Sequence, residues 1–556
     1  MNSEKNRTFL RQYRDMLSRE FRGYGLGRFG RDVLAGITVG AVSLPLALAF
    51  GAANLGAEFA AFGIAAGLTT AIIAGIVTGL LGGGAFQVSG PTGTMSVVLA
   101  GVVATRGLQG MFLVCLLAGL LRLLGGLFRL GKLVFWIPHP VVIGFTSGVS
   151  VLIALGQLDN AFGVSLSGRS IPGRLVDFFS EHLQDINWWA VGCTLLVMVC
   201  MFLYPKKWAA VLPGSLVAIV LLSALVQLVH ALDPGTMEIA LIGAIPSSPV
   251  NAEALRLSEI SLESLRHAFA PAVTIAILGM VETLLCGTSA ASMTKRPFEP
   301  SVEMVAQGVG NMVIPFFEGV PSTAAIARTS VAIRSGAQTR LTGVVQSLFL
   351  LACMSLLSGL IGLVPYTALA GVLIVTAWRT NDWPAIRHFF RHRLWDAILP
   401  FTATLLATVL LDVIYAILIG VLVAVLFMLP RLARLDLQAV LRQDVLYLHG
   451  SGVLFFANAK DCAEAILTYQ AAARRVVLVC DGITCLDVSA AEVLREAADG
   501  LRLEGKEFYL SGVRAGVRRT LDKTGFTARL GEGCFLDAPG QLPPEGLPEA
   551  DGAEVV

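Results

Sequence analysis

Apolar residues run along this chain in blocks too long for a soluble fold, separated by short polar connections. A helix needs about 20 mostly apolar residues to cross the hydrocarbon core. On that measure the sequence predicts about fourteen spans, near 33–53, 57–80, 87–105, 110–128, 133–157, 188–203, 212–230, 265–289, 301–317, 322–334, 341–361, 365–379, 395–411 and 413–429. The third opens with Gln87-Val88-Ser89-Gly90-Pro91-Thr92-Gly93 and the tenth with Gly319-Val320-Pro321-Ser322-Thr323-Ala324, so each contains a short helix after a Gly/Pro/Thr break.

The polar positions support this count. Lys and Arg collect on alternate connections: a basic N-terminal segment, then Arg129/Lys132, Lys206/Lys207, Lys295/Arg296, Arg334/Arg340, Arg379 with Arg387, Arg391 and Arg393, and finally Arg431/Arg434. The other connections carry Glu58, Asp159, Asp233 and Glu318. Basic residues accumulate on the cytoplasmic side, so both termini are expected in the cytoplasm of a cell whose inner membrane holds the protein. The halves 33–230 and 265–430 hold seven spans each, and an odd number per half inverts the second relative to the first. The two broken spans sit at matching places in the two halves.

After residue 430 the pattern changes to strands over Val445–Phe456, a helix over Lys460–Arg474, a buried strand over Val476–Asp481, a helix over Ala490–Arg502, a strand over Phe508–Gly512 and a helix over Gly516–Lys523. That alternation predicts a small α/β domain. The expected organisation is a cytoplasmic segment (1–32), a membrane domain (33–430), a cytoplasmic domain (437–538) and a tail from Pro539 (539–556) too rich in Pro, Glu and Gly to order.

Composition agrees: 55% of residues are hydrophobic and 14% charged, and the mean hydropathy is +0.73. The net charge of +2 gives no reason to expect a nucleic-acid partner. The nine cysteines lack metal-ligand spacing and read as reduced and structural. No cleavable signal peptide is visible at the N-terminus. No nucleophile triad, phosphate loop or metal cluster is recognisable, so no enzyme activity, metal or cofactor is expected.

The candidate chemistry lies at the breaks. A half-helix that starts inside the membrane leaves unpaired N–H groups with positive partial charge at its first turn, and such an end attracts anions. Inverted symmetry brings two of them, after Pro91 and after Pro321, towards each other. Thr92, Thr94, Ser322 and Thr323 add hydroxyls, and the small Gly90, Gly93, Ala324 and Ala325 let a ligand approach the backbone. Either break alone reads equally as a kink or a packing site; a matched pair favours an anion site. Glu282 lies in mid-span, where a carboxylate must be paired or protonated; it reads as a proton carrier or as a structural partner. Arg328 holds the anion's charge or balances Glu282. Arg122 and His139 receive no role.

These residues resemble the sulfate permease (SulP) family. The resemblance is carried by Ser43-Leu44-Pro45-Leu46-Ala47-Leu48-Ala49-Phe50, Val88 to Gly93, Gly144-Phe145-Thr146-Ser147-Gly148, Gln307-Gly308-Val309-Gly310-Asn311 and Ala324 to Thr329, and it runs collinearly from residue 30 to 535. The C-terminal part is similar to a STAS domain around Val477 to Asp481 and Leu486 to Ala490. The resemblance implies a polytopic α-helical membrane protein of 14 spans in a seven-plus-seven inverted repeat, with core and gate domains, elevator-like alternating access and a homodimer. It places Phe50, Thr92 and Ala325 to Arg328 around the anion, with Glu282 as the coupling carboxylate.

Two departures bear on mechanism. In the sodium-bicarbonate members an acidic residue and a hydroxyl four residues later hold sodium; here the pair is Glu282 and Cys286, and a thiol is a poor ligand for a hard cation. The stretch Val281 to Cys286 is more similar to bacterial proton-coupled dicarboxylate carriers. In the STAS loop Ser489 is kept, but Val488 and Ala490 replace the first serine and the usual glycine, which favours docking of a cytoplasmic protein over a phosphorylation switch at Ser489. The expected function is proton-coupled secondary transport of a small anion, whether a C4-dicarboxylate, sulfate or bicarbonate. The rivals are an uncoupled exchanger or channel, a sodium-bicarbonate symporter, and a membrane-anchored STAS signalling scaffold.

Overall fold

Each predicted apolar block has a helical counterpart. The computed structural model describes residues 9–55, 59–131, 137–166, 171–205, 213–233, 237–249, 254–256, 258, 260–411, 413–442, 444–469, 473–538 and 541–542. Lys5, Arg7, Glu58, Lys132, Lys206 and Lys207 of the charge pattern, and the tail from Pro539 apart from Gln541 and Leu542, lie outside these residues. The chain divides into two compact units, Met1–Val421 and Leu422–Val556.

The first half begins with α1 (Phe9–Glu20), α2 (Leu26–Leu55), α3 (Ala60–Leu81), the two-residue strand β1 (Ser89–Gly90) and α4 (Gly93–Leu127). It continues with α5 (His139–Leu155), the short α6 (Leu158–Phe162), α7 (Ile171–Glu181), α8 (Trp188–Leu203) and α9 (Gly214–Leu232). The second half holds α10 (Leu262–Thr294), α11 (Pro300–Val313), the strand β2 (Thr323–Ala324), α12 (Ile326–Arg334) and α13 (Leu341–Ile361). After these come α14 (Tyr366–Thr380), α15 (Trp383–Arg391), α16 (Trp395–Leu410) and α17 (Val413–Leu432).

Seven helices among the described residues are long and apolar enough to cross a membrane unaided, and α8, α16 and most of α17 are shorter apolar helices. The remaining expected spans are the first segment of α4, α11, α12 and α14. The third and fourth spans form one long helix, α4, broken at Gly107, whose φ of 65° only glycine adopts at little cost. The helices pack in two groups. One comprises α2, α3, α4, α10, α11, α12 and α13; the other comprises α5, α8, α9, α14 and α16. Apolar side chains of α2, α3, α8, α9, α13 and α14 form the largest shared core.

The N-terminal segment is tied to this bundle by two carboxylates. Asp32 is fully buried and accepts from the backbone N–H of Gln338 at 2.6 Å and of Thr339 at 3.0 Å, just ahead of α13. It also accepts from the hydroxyls of Thr339, Thr342 and Tyr24. Burial and the Asp32 carboxylate push the Tyr24 phenol up to about 12, so it remains a donor. Glu20 pairs with Arg340 at 2.7 Å, and Arg340 donates onward to the Gly82 carbonyl at 2.7 Å. Asp32→Ala is expected to cost about 2 kcal/mol, the upper range for a helix-cap loss. An unchanged thermal midpoint of the solubilised protein would remove Asp32 from this role.

In the second unit, β3 (Asp436–Arg442) pairs antiparallel with β4 (Val445–Leu454). The order is β3-β4-β5-β6-β7, with β5 (Arg475–Leu486), β6 (Glu507–Ser511) and β7 (Phe535–Leu536) parallel to β4. Helices α18 (Ala459–Tyr469), α19 (Val488–Leu503), α20 (Ala515–Lys523) and α21 (Phe526–Leu530) connect them. Three details differ from the sequence reading. The stretch 445–456 contains one strand, which ends at Leu454; β3, almost wholly exposed at the sheet edge, was not anticipated; and β7 spans only two residues. The core here includes Cys462, Cys480 and Cys534, and burial pushes their thiols up, that of Cys462 to about 12. All nine cysteines are free thiols.

Candidate functional site

The two broken spans meet. β1 and β2 pair antiparallel, Ser89 opposite Ala324 and Gly90 opposite Thr323, and the Ala325 N–H donates to the Val88 carbonyl at 3.1 Å. Non-helical backbone is tolerated at membrane depth only where protein satisfies its polar groups, and here each break supplies partners for the other. From opposite ends of this ladder the half-helices lead away. α4 starts at Gly93 with the extended Thr92 (φ −133°, ψ 156°) as its N-cap residue, and α12 starts at Ile326 after Ala325. The second half-helix thus begins five residues beyond Pro321, because Thr323 and Ala324 are taken up in the strand pair.

Buried polar side chains hold both breaks. Arg122, fully buried on α4, donates to the Ser322 carbonyl at 2.5 Å and the Ile275 carbonyl at 2.7 Å. Asn311 on α11 accepts from the Ser322 N–H at 2.8 Å and donates to the Ser322 carbonyl at 3.1 Å. Gln307, one turn earlier, donates to the Ser89 hydroxyl at 2.6 Å and to Glu303 at 3.0 Å; Glu303 in turn accepts from the Gly83 N–H at 2.8 Å. The Thr283 and Thr323 hydroxyls bond at 2.8 Å, and Thr329 accepts from the Val88 N–H at 3.1 Å.

The expected site residues fall into two sets. Ser322, Thr323 and Ala324 are buried, and the polar groups of the first two are engaged within the break. Thr92 and Glu282, in contrast, are partly accessible, and the Thr92 hydroxyl donates to Glu282 Oε2 at 3.2 Å. Thr94 stands 3.0 Å from Thr92, hydroxyl to hydroxyl. Phe50 of α2 lies against the first turn of α4: a Cβ added at Gly93 would sit 2.9 Å from its ring and 2.2 Å from Ile153 of α5. On the opposite half-helix Ala325 is partly accessible and Ile326 and Ala327 are exposed, so the first turn of α12 is open to a ligand.

Arg328 is fully buried. Its Nη2 donates to the Pro91 carbonyl at 3.0 Å, while Nε and Nη1 have no hydrogen-bond partner among the described residues. A buried guanidinium with spare N–H groups beside two half-helix ends is suited to a bidentate oxyanion. Gly90 makes room for it, since a Cβ there would lie 1.9 Å from Nη1. Gly90→Ala is therefore expected to lower anion uptake by about tenfold, the lower end of the cost of overpacking. Uptake at the wild-type rate would show that Arg328 moves aside freely.

Cys286 donates to the Thr329 hydroxyl at 3.2 Å and so faces the packing between α10 and α12. Ser489 is exposed in the first turn of α19, next to Asp487, whose carboxylate accepts from the Ala490 N–H at 2.8 Å. Among the described residues one group of metal-ligating types occurs, Asp177, Glu181 and His182 on and just after α7, apart from the breaks. Sequence reasoning missed Arg122 and the stripe Glu303, Gln307 and Asn311. Their signals were a lone charge in the apolar run 108–128 and polar residues spaced by four on one helix face.

Comparison with known proteins accounts for this arrangement. Residues 29–403 match the sulfate permease family and residues 436–536 the STAS domain. The chain is 30% identical over 534 residues to the putative sulfate transporter YvdB of Bacillus subtilis, covering 94% of this chain and 98% of that one. It is 30% identical over 366 residues to the bicarbonate transporter BicA of Picosynechococcus, covering 64% and 62%. The solved transmembrane domain of a cyanobacterial BicA superposes with a TM-score of 0.63 at 28% identity, over 72% of this chain and 98% of that one. The murine Slc26a9 anion transporter, in its inward-facing state, gives 0.79 over 95% and 93%; at 16% identity that likeness speaks for the fold alone. With its paired half-helices and appended α/β domain, this chain belongs to the sulfate permease family of membrane anion transporters.

Proposed function

We propose that the chain is a proton-coupled symporter of a small oxyanion, with Glu282 carrying the proton and the anion held between the first turns of α4 and α12, over Arg328. The observation that carries this reading is the Thr92–Glu282 hydrogen bond, because Thr92 is also the N-cap residue of α4. When Glu282 is ionised it occupies the Thr92 hydroxyl and places negative charge beside the anion's position. Protonation removes that charge and releases the hydroxyl to donate to the anion. Proton and anion therefore favour each other's binding, and linkage makes the effect reciprocal. The cargo is sulfate, bicarbonate or a C4-dicarboxylate; the names of YvdB and BicA support the first two.

The two helix groups support an elevator-type movement, in which the group bearing both half-helices slides against the other. The site lies at their boundary, where Ile153 of α5 meets Gly93. We read both termini and the STAS domain as cytoplasmic, in an inner membrane, from the alternation of Lys and Arg. A homodimer fits α17, which leaves Tyr415, Leu418, Leu422 and Leu426 exposed along one side. The exposed start of α19 suits a cytoplasmic protein partner.

The test is uptake into proteoliposomes of sulfate, bicarbonate and succinate under an imposed pH gradient, with and without an ionophore that collapses it. Accumulation that disappears with the gradient supports symport. Equilibration of all three anions to the same level in both conditions defeats it in favour of uncoupled exchange.

A further inference from the structure

A cavity of about 490 Å³ lies among α5, α8, α14, α15 and α16. No residue assigned to the anion site lines it. Its walls include Phe202, Ile386, Phe401 and Leu405, so the interior is almost entirely apolar, and its size falls in the range of small-molecule sites. One wall carries Ser147, which is buried and whose hydroxyl has no hydrogen-bond partner among the described residues. The neighbouring Ser150 hydroxyl is already spent on the Thr146 carbonyl at 2.8 Å.

The lining also reaches the polar end of α14. There Trp378 and Trp383 pack with ring centroids 4.4 Å apart and planes tilted by 38°, and the Trp383 indole N–H donates to the Trp378 carbonyl at 2.9 Å. Arg379 is anchored on the Met201 carbonyl at 2.6 Å, with its guanidinium 6.0 Å from the Phe202 ring. The short helix α15 is amphipathic: Phe389 is buried while Arg387 and Arg391 are exposed, and Arg393 follows just beyond. An apolar cavity lined at one end by Trp378 and Trp383, with Arg387 and Arg391 four and eight residues beyond Trp383 on the same helix face, matches one ligand chemistry. The tryptophans belong at the level of lipid headgroups, and arginines at a helix end attract anionic ones.

We propose that this cavity binds an anionic phospholipid, one acyl chain entering between α5, α8, α14 and α16 and the phosphate resting on Arg387 and Arg391 of α15. Bulk lipid filling a groove would not discriminate between headgroups; a site with this rim does.

Native mass spectrometry of the full chain titrated with phosphatidylglycerol or phosphatidylcholine tests it. The wild type is expected to retain phosphatidylglycerol with about thirtyfold preference, in line with two arginines near the headgroup. Arg387→Gln/Arg391→Gln is expected to erase the preference, and Ala154→Leu, which fills the apolar end, to lower retention of both lipids. Equal retention of the two lipids by the wild type overturns the proposal. So does a preference that survives Arg387→Gln/Arg391→Gln, or retention of both lipids unchanged by Ala154→Leu.

Discussion

Glutamine in place of Glu282 is expected to abolish pH-gradient-driven accumulation of the anion while leaving anion exchange in operation. Glutamine has nearly the shape of a protonated glutamate and, like it, places no charge beside Thr92, which sits 3.2 Å from Glu282 Oε2. The local packing therefore persists, but the group no longer loses a proton. For one proton moved with one monovalent anion, each unit of pH gradient supports about a tenfold concentration ratio, because one pH unit is worth about 1.4 kcal/mol. The variant should equilibrate to a ratio of about one, for the same reason. The measurement is paired uptake and counterflow in proteoliposomes. Undiminished accumulation by Glu282→Gln would leave the carboxylate a structural role only.

The second large effect is expected at Arg328. Arg328→Ala removes the buried cation together with its unpartnered N–H groups, and anion uptake should fall by about a hundredfold, the range for charge-assisted hydrogen bonds in a dry site. The fold should be less affected, because among the described residues the guanidinium makes a single hydrogen bond to protein, that to the Pro91 carbonyl. Arg328→Lys keeps the charge but not the planar fork, and should recover only part of the rate. The discriminating measurement is the thermal shift on adding anion: present in the wild type, lost in Arg328→Ala, with the anion-free midpoint nearly unchanged. A persisting shift would place the anion elsewhere.

Gly90→Ala approaches the same group from the other side, through a Cβ 1.9 Å from the guanidinium. Agreement between it and Arg328→Ala in which anions are most affected would tie both to one site. Arg122 differs from Arg328 in this respect. Its donors reach the Ser322 and Ile275 carbonyls, so it braces the second break, and a Cβ on Gly279 would lie 1.8 Å from it.

Much of the candidate site is legible in the sequence because its chemistry is local. A Gly/Pro/Thr break is visible as a break whatever surrounds it, and a carboxylate in mid-span such as Glu282 is visible as a cost that requires a partner. The partners were not legible. Thr92 is 190 residues from Glu282 and Pro91 is 237 from Arg328, and no periodicity links positions so far apart. Ser322 and Thr323 show the converse: their residue types suit an anion, but their hydroxyl and backbone groups are committed to Asn311, Thr283 and Gly279. The edge strand β3 was missed although Leu437, Ala439 and Leu441 alternate with Asp436, Gln438 and Arg442, because that alternation spans one short window in which only Leu437 is even partly buried.

The sequence alone determined the membrane spans, the inverted halves, the appended α/β domain and the two breaks, since each follows from hydropathy, charge sign or backbone permissiveness within a short window. Tertiary structure decided which polar groups remain free once the breaks have satisfied one another. The ladder between β1 and β2 absorbs Ser89, Thr323 and Ala324, and Asn311, Gln307 and Arg122 satisfy much of the rest. Thr92, Glu282 and the first turn of α12 remain accessible, beside the spare N–H groups of Arg328. In a medium without water every polar atom must be assigned a partner, and that assignment is a property of the whole bundle.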